Sequence, residues 1–310
     1  KVWHQAVKEI ASEGKLTVPE LCRLFGFSKQ SFYKRSIQSN STSDVVALKK
    51  MVMGVRATLP KTGGRKLHSM LSSQIKSQGM KIGRDKLFDF LREEHLLIKT
   101  RRKYHKTTNS KHWMRKYPNL IKDIEICMPE QVWVADITYL MMKKKHYYLH
   151  LITDAYSKKI VGYQLADNLQ AETTLNALRQ AILHRIYDHK LIHHSDRGLQ
   201  YCSSQYTALL SENGISISMT ENSDPYENAV AERVNGILKD EFMLDINFES
   251  YFRMKKQVQQ SINAYNHLRL HTSIGMLTPN KAHLQNKIKL KTWKKKNPLL
   301  VIEKGSLSLV

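Results

Sequence analysis

Cysteine is scarce in this chain. Its three residues, Cys22, Cys127 and Cys202, lie far apart and form no CxxC pair. That excludes a zinc knuckle and a disulfide framework and fits a reducing compartment. No apolar run approaches the ~18 residues of a membrane-spanning helix, so no membrane partner is expected. No secretory signal peptide is visible. No GxxxxGK[S/T] loop is present, which excludes an ATP site of that type. No Ser or Tyr stands out as a covalent nucleophile. The chain begins at Lys1 rather than Met, the pattern of a trimmed chain or of the downstream part of a longer product.

Acidic residues are also in short supply. There are 27 Asp+Glu against 50 Lys+Arg, a formal net charge of +23. Such an excess points to an anionic polymer as partner. Residues 1–125 carry 27 basic and 10 acidic side chains, residues 126–286 carry 16 of each, and residues 287–310 carry 7 and 1. Two basic arms thus flank a neutral middle, and in a basic protein a neutral segment is where carboxylates with chemical work would sit.

The first arm reads as helices. Thr17 and Glu20 form a capping-box pattern opening a helix over Val18–Phe25. Gly26 breaks it, and Ser28 caps a second helix over Lys29–Arg35. Helix, Gly-containing turn and basic helix is the helix-turn-helix pattern, with Lys29, Gln30, Lys34 and Arg35 as candidate DNA contacts; an ordinary helical hairpin is the alternative. Residues 1–43 form this unit with its polar linker. Residues 44–98 form a second helical unit of the same kind, with helices Arg65–Ser77 and Arg84–His95 and with Arg65 as a candidate contact. Residues 99–125 are a basic linker in which Tyr104 and Trp113 interrupt Lys and Arg, as in Arg101, Arg102 and Lys103. Charge with interleaved aromatics suits a nucleic-acid backbone, although a solvated linker has the same composition. Residues 287–310 are a basic tail.

The middle segment changes pattern. β-Branched and aromatic runs mark strands at Val132–Leu140, His146–Thr153, Lys159–Leu165, Leu191–Ser195 and Ile215–Met219. Helices are expected at Ala171–Ile186, Ser204–Asn213, Asn228–Glu241 and Tyr251–Leu270. The order gives a mixed α/β layer. Asp136 falls in the middle of the first strand, where an ion is costly unless compensated. Asp196 falls at the end of the fourth, where such sheets border a ligand crevice. Asn228–Glu241 has one apolar stripe, Val230, Val234, Ile237 and Leu238. Glu232 and Lys239 share the opposite face with Asn228, Asn235 and Gly236. A solvated face is the bland reading of that helix alone. With the first and fourth strands adjacent, Asp136, Asp196 and Glu232 converge as hard oxygen ligands for two Mg²⁺ ions, with Mn²⁺ as a substitute. Two such ions serve an in-line phosphoryl displacement. Asp154 reads as a turn residue. Glu221, Asp224 and Glu227 read as candidates for supporting or substitute ligands. His193 and His194 read as strand-end residues, with a DNA-facing role left open.

These residues also resemble a family. WVADITYL with Asp136, HSDRGLQY with Asp196 and ENAVAERVNGILKDE with Glu232 and Lys239 are similar to the DDE transposases of the insertion-sequence-three family. That family's second-reading-frame product has a retroviral-integrase-type core. The thirty-five residues between Asp196 and Glu232, and the Lys seven residues after the Glu, match it. YNHLRLHTSIGMLTP, from Tyr265, and PKTGGRKLH, from Pro60, match its flanking segments, so the resemblance spans roughly residues 45–286. Glu227 departs from the Asp of many members, which speaks against residue 227 as a ligand and leaves the triad intact, and the family's dimerising leucine zipper is not evident. The resemblance implies a ribonuclease-H-like mixed five-stranded sheet over 126–286. It implies a two-ion DDE triad that nicks DNA and joins the 3′-hydroxyl to another phosphodiester, through a circular intermediate. It also implies a homodimer or larger assembly on the terminal inverted repeats and target DNA. Lys239 is expected at a phosphate, with Arg233, Asn228 and Asn235 on the same DNA-facing surface. A cytoplasmic, nucleoid-associated bacterial protein is expected. Two rivals stay open: a metal-dependent nuclease without strand transfer, and a non-catalytic DNA-binding regulator.

Overall fold

The computed structural model describes residues 2–14, 16–37, 42–98, 113–122, 124–221, 228–288 and 290. The chain divides into two compact units, Lys1–Ala57 with Gly63–Leu97, and Thr58–Thr62 with Ile98–Val310. The first is helical: α1 (Val2–Ser12), α2 (Val18–Leu24), α3 (Lys29–Ile37), α4 (Thr42–Thr58), α5 (Gly64–Ser77) and α6 (Arg84–Glu93). The Glu20 carboxylate accepts from Thr17 N at 2.7 Å, so the start of α2 follows the capping pattern. Gly26 takes a left-handed φ of 71° in the turn to α3, and Ser28 Oγ accepts from Ser31 N. Val7, Leu21, Cys22 and Phe32 make a small core for α1–α3. A separate one joins α4–α6 through Leu48, Val52, Leu67, Leu71, Leu87 and Leu91.

The second unit is built on a sheet. Its elements are β1 (Val132–Met142), β2 (Lys145–Asp154), β3 (Ile160–Ala166), α7 (Ala171–Leu183), β4 (Ile192–Ser195), α8 (Leu199–Cys202), α9 (Ser204–Glu212), β5 (Ser216–Met219), α10 (Ala229–Asp240), β6 (Asn247–Phe248), α11 (Tyr251–His267) and α12 (Pro279–His283). The strand order is β3-β2-β1-β4-β5. β1–β2 and β2–β3 are antiparallel, and β1–β4 and β4–β5 are parallel. With helices on both faces this is the ribonuclease-H-like arrangement. A sixth strand adds to the expected five: the two residues of β6 pair with Met141 and Met142 at the far end of β1. Two residues are too short to carry a sequence period. Among the described residues no helix is long and apolar enough to cross a membrane.

The strand period of two sorts β1 cleanly. Trp133 and Ala135 enter the core made with α7, α8 and α9. Val132 and Val134 face the other way, against Ala231 of α10. Gly162 on β3 lets α7 approach, since a Cβ there would stand 2.2 Å from Ala177 O. The end of the sheet near Val132 is closed by a buried polar knot. Asp154 accepts from Glu130 N and Ser157 N, and Glu130 accepts from Ile186 N and Tyr187 N. His283 of α12 lies against both, 3.2 Å from Glu130 Oε1 and 3.7 Å from Asp154 Oδ1. Asp154, expected in the turn, is instead the fully buried last residue of β2, from which that turn starts.

Candidate active site

Asp136 follows Val132 and Val134 on the face of β1 that meets α10. The parallel register pairs Val134 with His194. Two residues further along the two segments come Asp136 and Asp196, at the C-terminal end of β4. Glu232 rises from the first turn of α10, so a strand, a strand end and a helix each contribute one carboxylate. Asp136 is partly buried. Its Oδ1 accepts from Ile137 N at 2.9 Å and its Oδ2 from the Asn235 amide at 2.7 Å. Asp196 Oδ1 accepts from Gly198 N at 3.0 Å, and a Cβ on Gly198 would stand 3.0 Å from that same oxygen.

The electrostatics record how close the acids are. Burial, then the Asp196 charge, and more weakly the Glu232 charge push the Asp136 pKa from 3.8 up to about 7, against the pull of its two hydrogen bonds. Burial also raises the pKa of Glu232, which is otherwise exposed. A buried carboxyl with two further acids acting on it suits a hard divalent cation, which would relieve that repulsion. Among the described residues no three His, Cys, Asp or Glu side chains form a ready-made ion cage. Oxygens of both aspartates are instead held by the local amides just named.

Two family profiles, each described as an integrase core domain, match residues 127–225 and 213–279. The chain is 30% identical over 261 residues to the insertion element IS600 uncharacterized 31 kDa protein of Shigella sonnei, covering 84% of this chain and 96% of that protein. It is 30% identical over 218 residues to transposase InsF for insertion sequence IS3A of Escherichia coli K12, covering 70% of this chain and 76% of that one. The chain belongs to the IS3 family of transposases. Among solved structures, the HTLV-2 integrase catalytic core domain in complex with magnesium is similar at 22% identity, 50% coverage of this chain, 97% of that chain and a TM-score of 0.41. The transposase is thus a DDE-type polynucleotidyl transferase with an integrase core.

Other residues singled out in the transposase sequence fall differently. Lys239 is partly buried in the last turn of α10, and Arg233 is exposed on the same helix. Asn228 and Asn235 correct the expected DNA-facing surface. Both are buried, the first donating to Ala135 O at 3.0 Å and the second to Asp136. Asn228 and Asn235 lie at the edge of the polar face of α10, where it turns in against β1, while Glu232 and Arg233 on the same helix stay exposed. His193 and His194 lie near the end of β4 as expected, and both are buried. His193 Nε2 meets Tyr206 OH, and His194 Nδ1 meets Ser218 Oγ, so neither faces DNA. In the helical unit, Lys29, Gln30 and Arg65 are exposed. The side chains of Lys34 and Arg35, and Arg101, Arg102 and Lys103 entirely, lie outside the described residues, as do Asp224 and Glu227. Glu221 accepts from Asn119 N.

Sequence reading missed what fixes α10. Glu241, at its C-cap, forms a two-pronged ion pair with buried Arg269 at 2.8 and 2.6 Å. Arg269 stands in YNHLRLH, and its pairing left no spacing signal because Glu241 lies 28 residues upstream.

Proposed function

We propose that Asp136, Asp196 and Glu232 are the catalytic acids of this transposase and together hold two Mg²⁺ ions, with Mn²⁺ able to substitute. The observation that carries the reading is the placement of the acids: the β1–β4 register sets Asp136 and Asp196 side by side, and α10, which carries Glu232, donates from Asn235 to Asp136. Such ions, when bound, supply Lewis-acid stabilisation of the attacking and leaving oxygens. The chain's own residues orient the acids. Asn235 fixes Asp136 from α10, the Gly198 amide fixes Asp196, and the Arg269–Glu241 pair anchors the far end of the helix that carries Glu232. Water attacks the phosphodiester at the element's end and releases a 3′-hydroxyl. That hydroxyl then displaces a second bridging oxygen in line, with no covalent protein intermediate. Positioning and charge stabilisation carry such reactions.

Lys239 and Arg233 hold phosphate beside the acids. The helical units 1–43 and 44–98 read the terminal inverted repeats, with Lys29, Gln30, Lys34, Arg35 and Arg65 toward DNA. The linker 99–125, with Arg101, Arg102 and Lys103, and the tail 287–310 add backbone charge around the core 126–286. Bringing two ends together calls for a homodimer or larger assembly. A DNA enzyme of this kind works in the bacterial cytoplasm on the nucleoid.

The test is nicking of duplex DNA carrying the element's end. Asp136→Asn, Asp196→Asn and Glu232→Gln should each abolish nicking while DNA binding survives. Appreciable Mg²⁺-dependent cleavage by any of the three would remove that residue from the site.

A further inference from the structure

The stretch just ahead of the sheet is pinned to it. β5 is an edge strand, and the segment 117–121 covers its open side. Met219 N donates to Pro118 O, Leu120 N to Ser218 Oγ, and Asn119 N to Glu221 Oε1. Met114 and Tyr117 pack against the core that contains Tyr201, Cys202 and Met219. The intervening side chains turn outward. Arg115 and Lys116 are exposed, the Arg115 guanidinium lying 5.1 Å from the Tyr117 ring centroid. Trp113 is 91% exposed, and among the described residues no large apolar side chain is more so. A fixed segment that holds an indole fully in water forgoes the burial such a side chain normally gains.

This segment passes beside the acids. Thr220 N, just past β5, donates to Ser195 O, next to Asp196. The buried Cys202 thiol senses both sides: burial and then Asp196 push its pKa up, while Lys116 and Arg197 pull it down. The geometry agrees: Met219, which donates to Pro118 O, pairs with Ser195 in the β4–β5 ladder, and Met114 and Tyr117 flank Lys116 and pack on the core of Tyr201 and Cys202, so Lys116 stands on the Asp196 side of the site with Arg197, while Lys239 and Arg233 are on the Glu232 helix. Three extended residues span about 10 Å, which keeps Trp113 within a nucleotide or two of Lys116.

We propose that Trp113 and Lys116 form a clamp for an unpaired DNA strand at the Asp196 side of the site, Lys116 on a backbone phosphate and Trp113 stacked on a base. Only an unpaired base offers its π-face to an indole, so the strand is one splayed from the duplex beside the scissile phosphate. The clamp rests on the reading of Asp136, Asp196 and Glu232 as the reacting centre, and it assigns the substrate there a locally opened form.

The experiment uses the full chain and a splayed-arm duplex from the element's end. 2-Aminopurine is placed at successive positions of the unpaired arm, in EDTA so that nothing is cut. Fluorescence should fall on binding at one or two adjacent positions. Trp113→Ala should remove that quench and weaken binding of the splayed DNA about tenfold or more, with fully paired DNA bound as before. Trp113→Phe should keep most of both effects. Lys116→Gln should lower the dependence of log affinity on log salt by about 0.7. Phe252→Ala, which removes another aromatic side chain 74% exposed, should change none of these. A quench that survives Trp113→Ala, or no responsive position at all, overturns the clamp. The same samples with Mg²⁺ or Mn²⁺ are scored for joining. A native chain that joins ends while the quench ignores Trp113 refutes the clamp and leaves the triad standing. A native chain that stacks the base but never cuts or joins refutes the triad.

Discussion

Replacing Asp136 with Asn should make the protein more stable while removing its activity, and the gain should depend on pH. The carboxyl titrates at about 7 in the fold against an ordinary 3.8. Because the folded value is raised, its contribution to stability is intact below pH ~3.8 and is lost progressively as pH climbs to about 7, with no further loss above. At about 1.4 kcal/mol per pH unit, the full penalty is about 4 kcal/mol. Partial exposure and relaxation reduce it. The substitution also has a cost. Ile137 N and the Asn235 amide each use one carboxylate oxygen, and the new amide offers a single oxygen. Asn235 can turn to offer its own Oδ1, which is buried without a hydrogen-bond partner among the described residues. One imperfect hydrogen bond costs about 1 kcal/mol. The net expectation is little change at pH 5 and a gain of about 1–2 kcal/mol at pH 7.5, or roughly 3–6 °C in melting temperature of the core. Calorimetry at the two pH values, in EDTA, measures it. Mg²⁺ should close the gap and then reverse it by stabilising only the native chain, by about 2.7 kcal/mol at a hundredfold excess over Kd. A gain that is equal at both pH values, or a loss at pH 7.5, would refute the reasoning that burial and the neighbouring acids hold the Asp136 carboxyl well above its ordinary value.

Asn235→Ala should slow nicking and joining about 10- to 100-fold, the worth of one hydrogen bond to a charged group, while DNA affinity holds; an unchanged rate would deny Asn235 its hold on Asp136. Arg269→Ala removes the two-pronged contact to Glu241 and should destabilise the core by at most about 3–5 kcal/mol, less for the part of Glu241 that water reaches. Adding Glu241→Gln should restore part of that loss in denaturant unfolding, and strict additivity would show that the pair is not coupled. Burial lowers the His283 pKa, but hydrogen bonds to Asp154 and Glu130 lift it above 6.5 overall. Its stabilisation is then complete below pH ~6.5 and lost as pH rises through the higher folded value. Core stability should fall on the alkaline side of neutrality, and His283→Gln should flatten that slope; a slope identical in the variant would place the titration elsewhere.

The sheet was legible because its strands repeat apolar residues over lengths that carry a period. Asp136 could be picked out because β1 is apolar on both faces around it. The acids could be joined into a site because strand order follows from the run of elements. What the sequence concealed has physical reasons. On α10 a helical wheel separates apolar from polar, but it does not tell which polar side chains at the edge of that face turn in against β1. Asn228 and Asn235 were misplaced for that reason. His193 and His194 sit in a strand of four residues, too short for alternation to show that both are buried. The knot of Glu130, Asp154 and His283 joins turns more than a hundred residues apart, and the Arg269–Glu241 pair crosses from one helix end to another. Pairings of that kind are made by the topology and leave no local pattern.

The central claim is that three carboxylates from β1, the end of β4 and α10 form one metal-dependent centre. Glu232 tests it hardest, because it is the most exposed of the three and interacts most weakly with Asp136. The measurement is the joining of a pre-cleaved end bearing a 3′-hydroxyl to target DNA, as Mg²⁺ is titrated, by the native chain and by Glu232→Gln. The expected result is metal-dependent joining by the native chain and none by the variant at any Mg²⁺ concentration, with equal DNA binding. Joining by Glu232→Gln at a rate close to native would contradict the account.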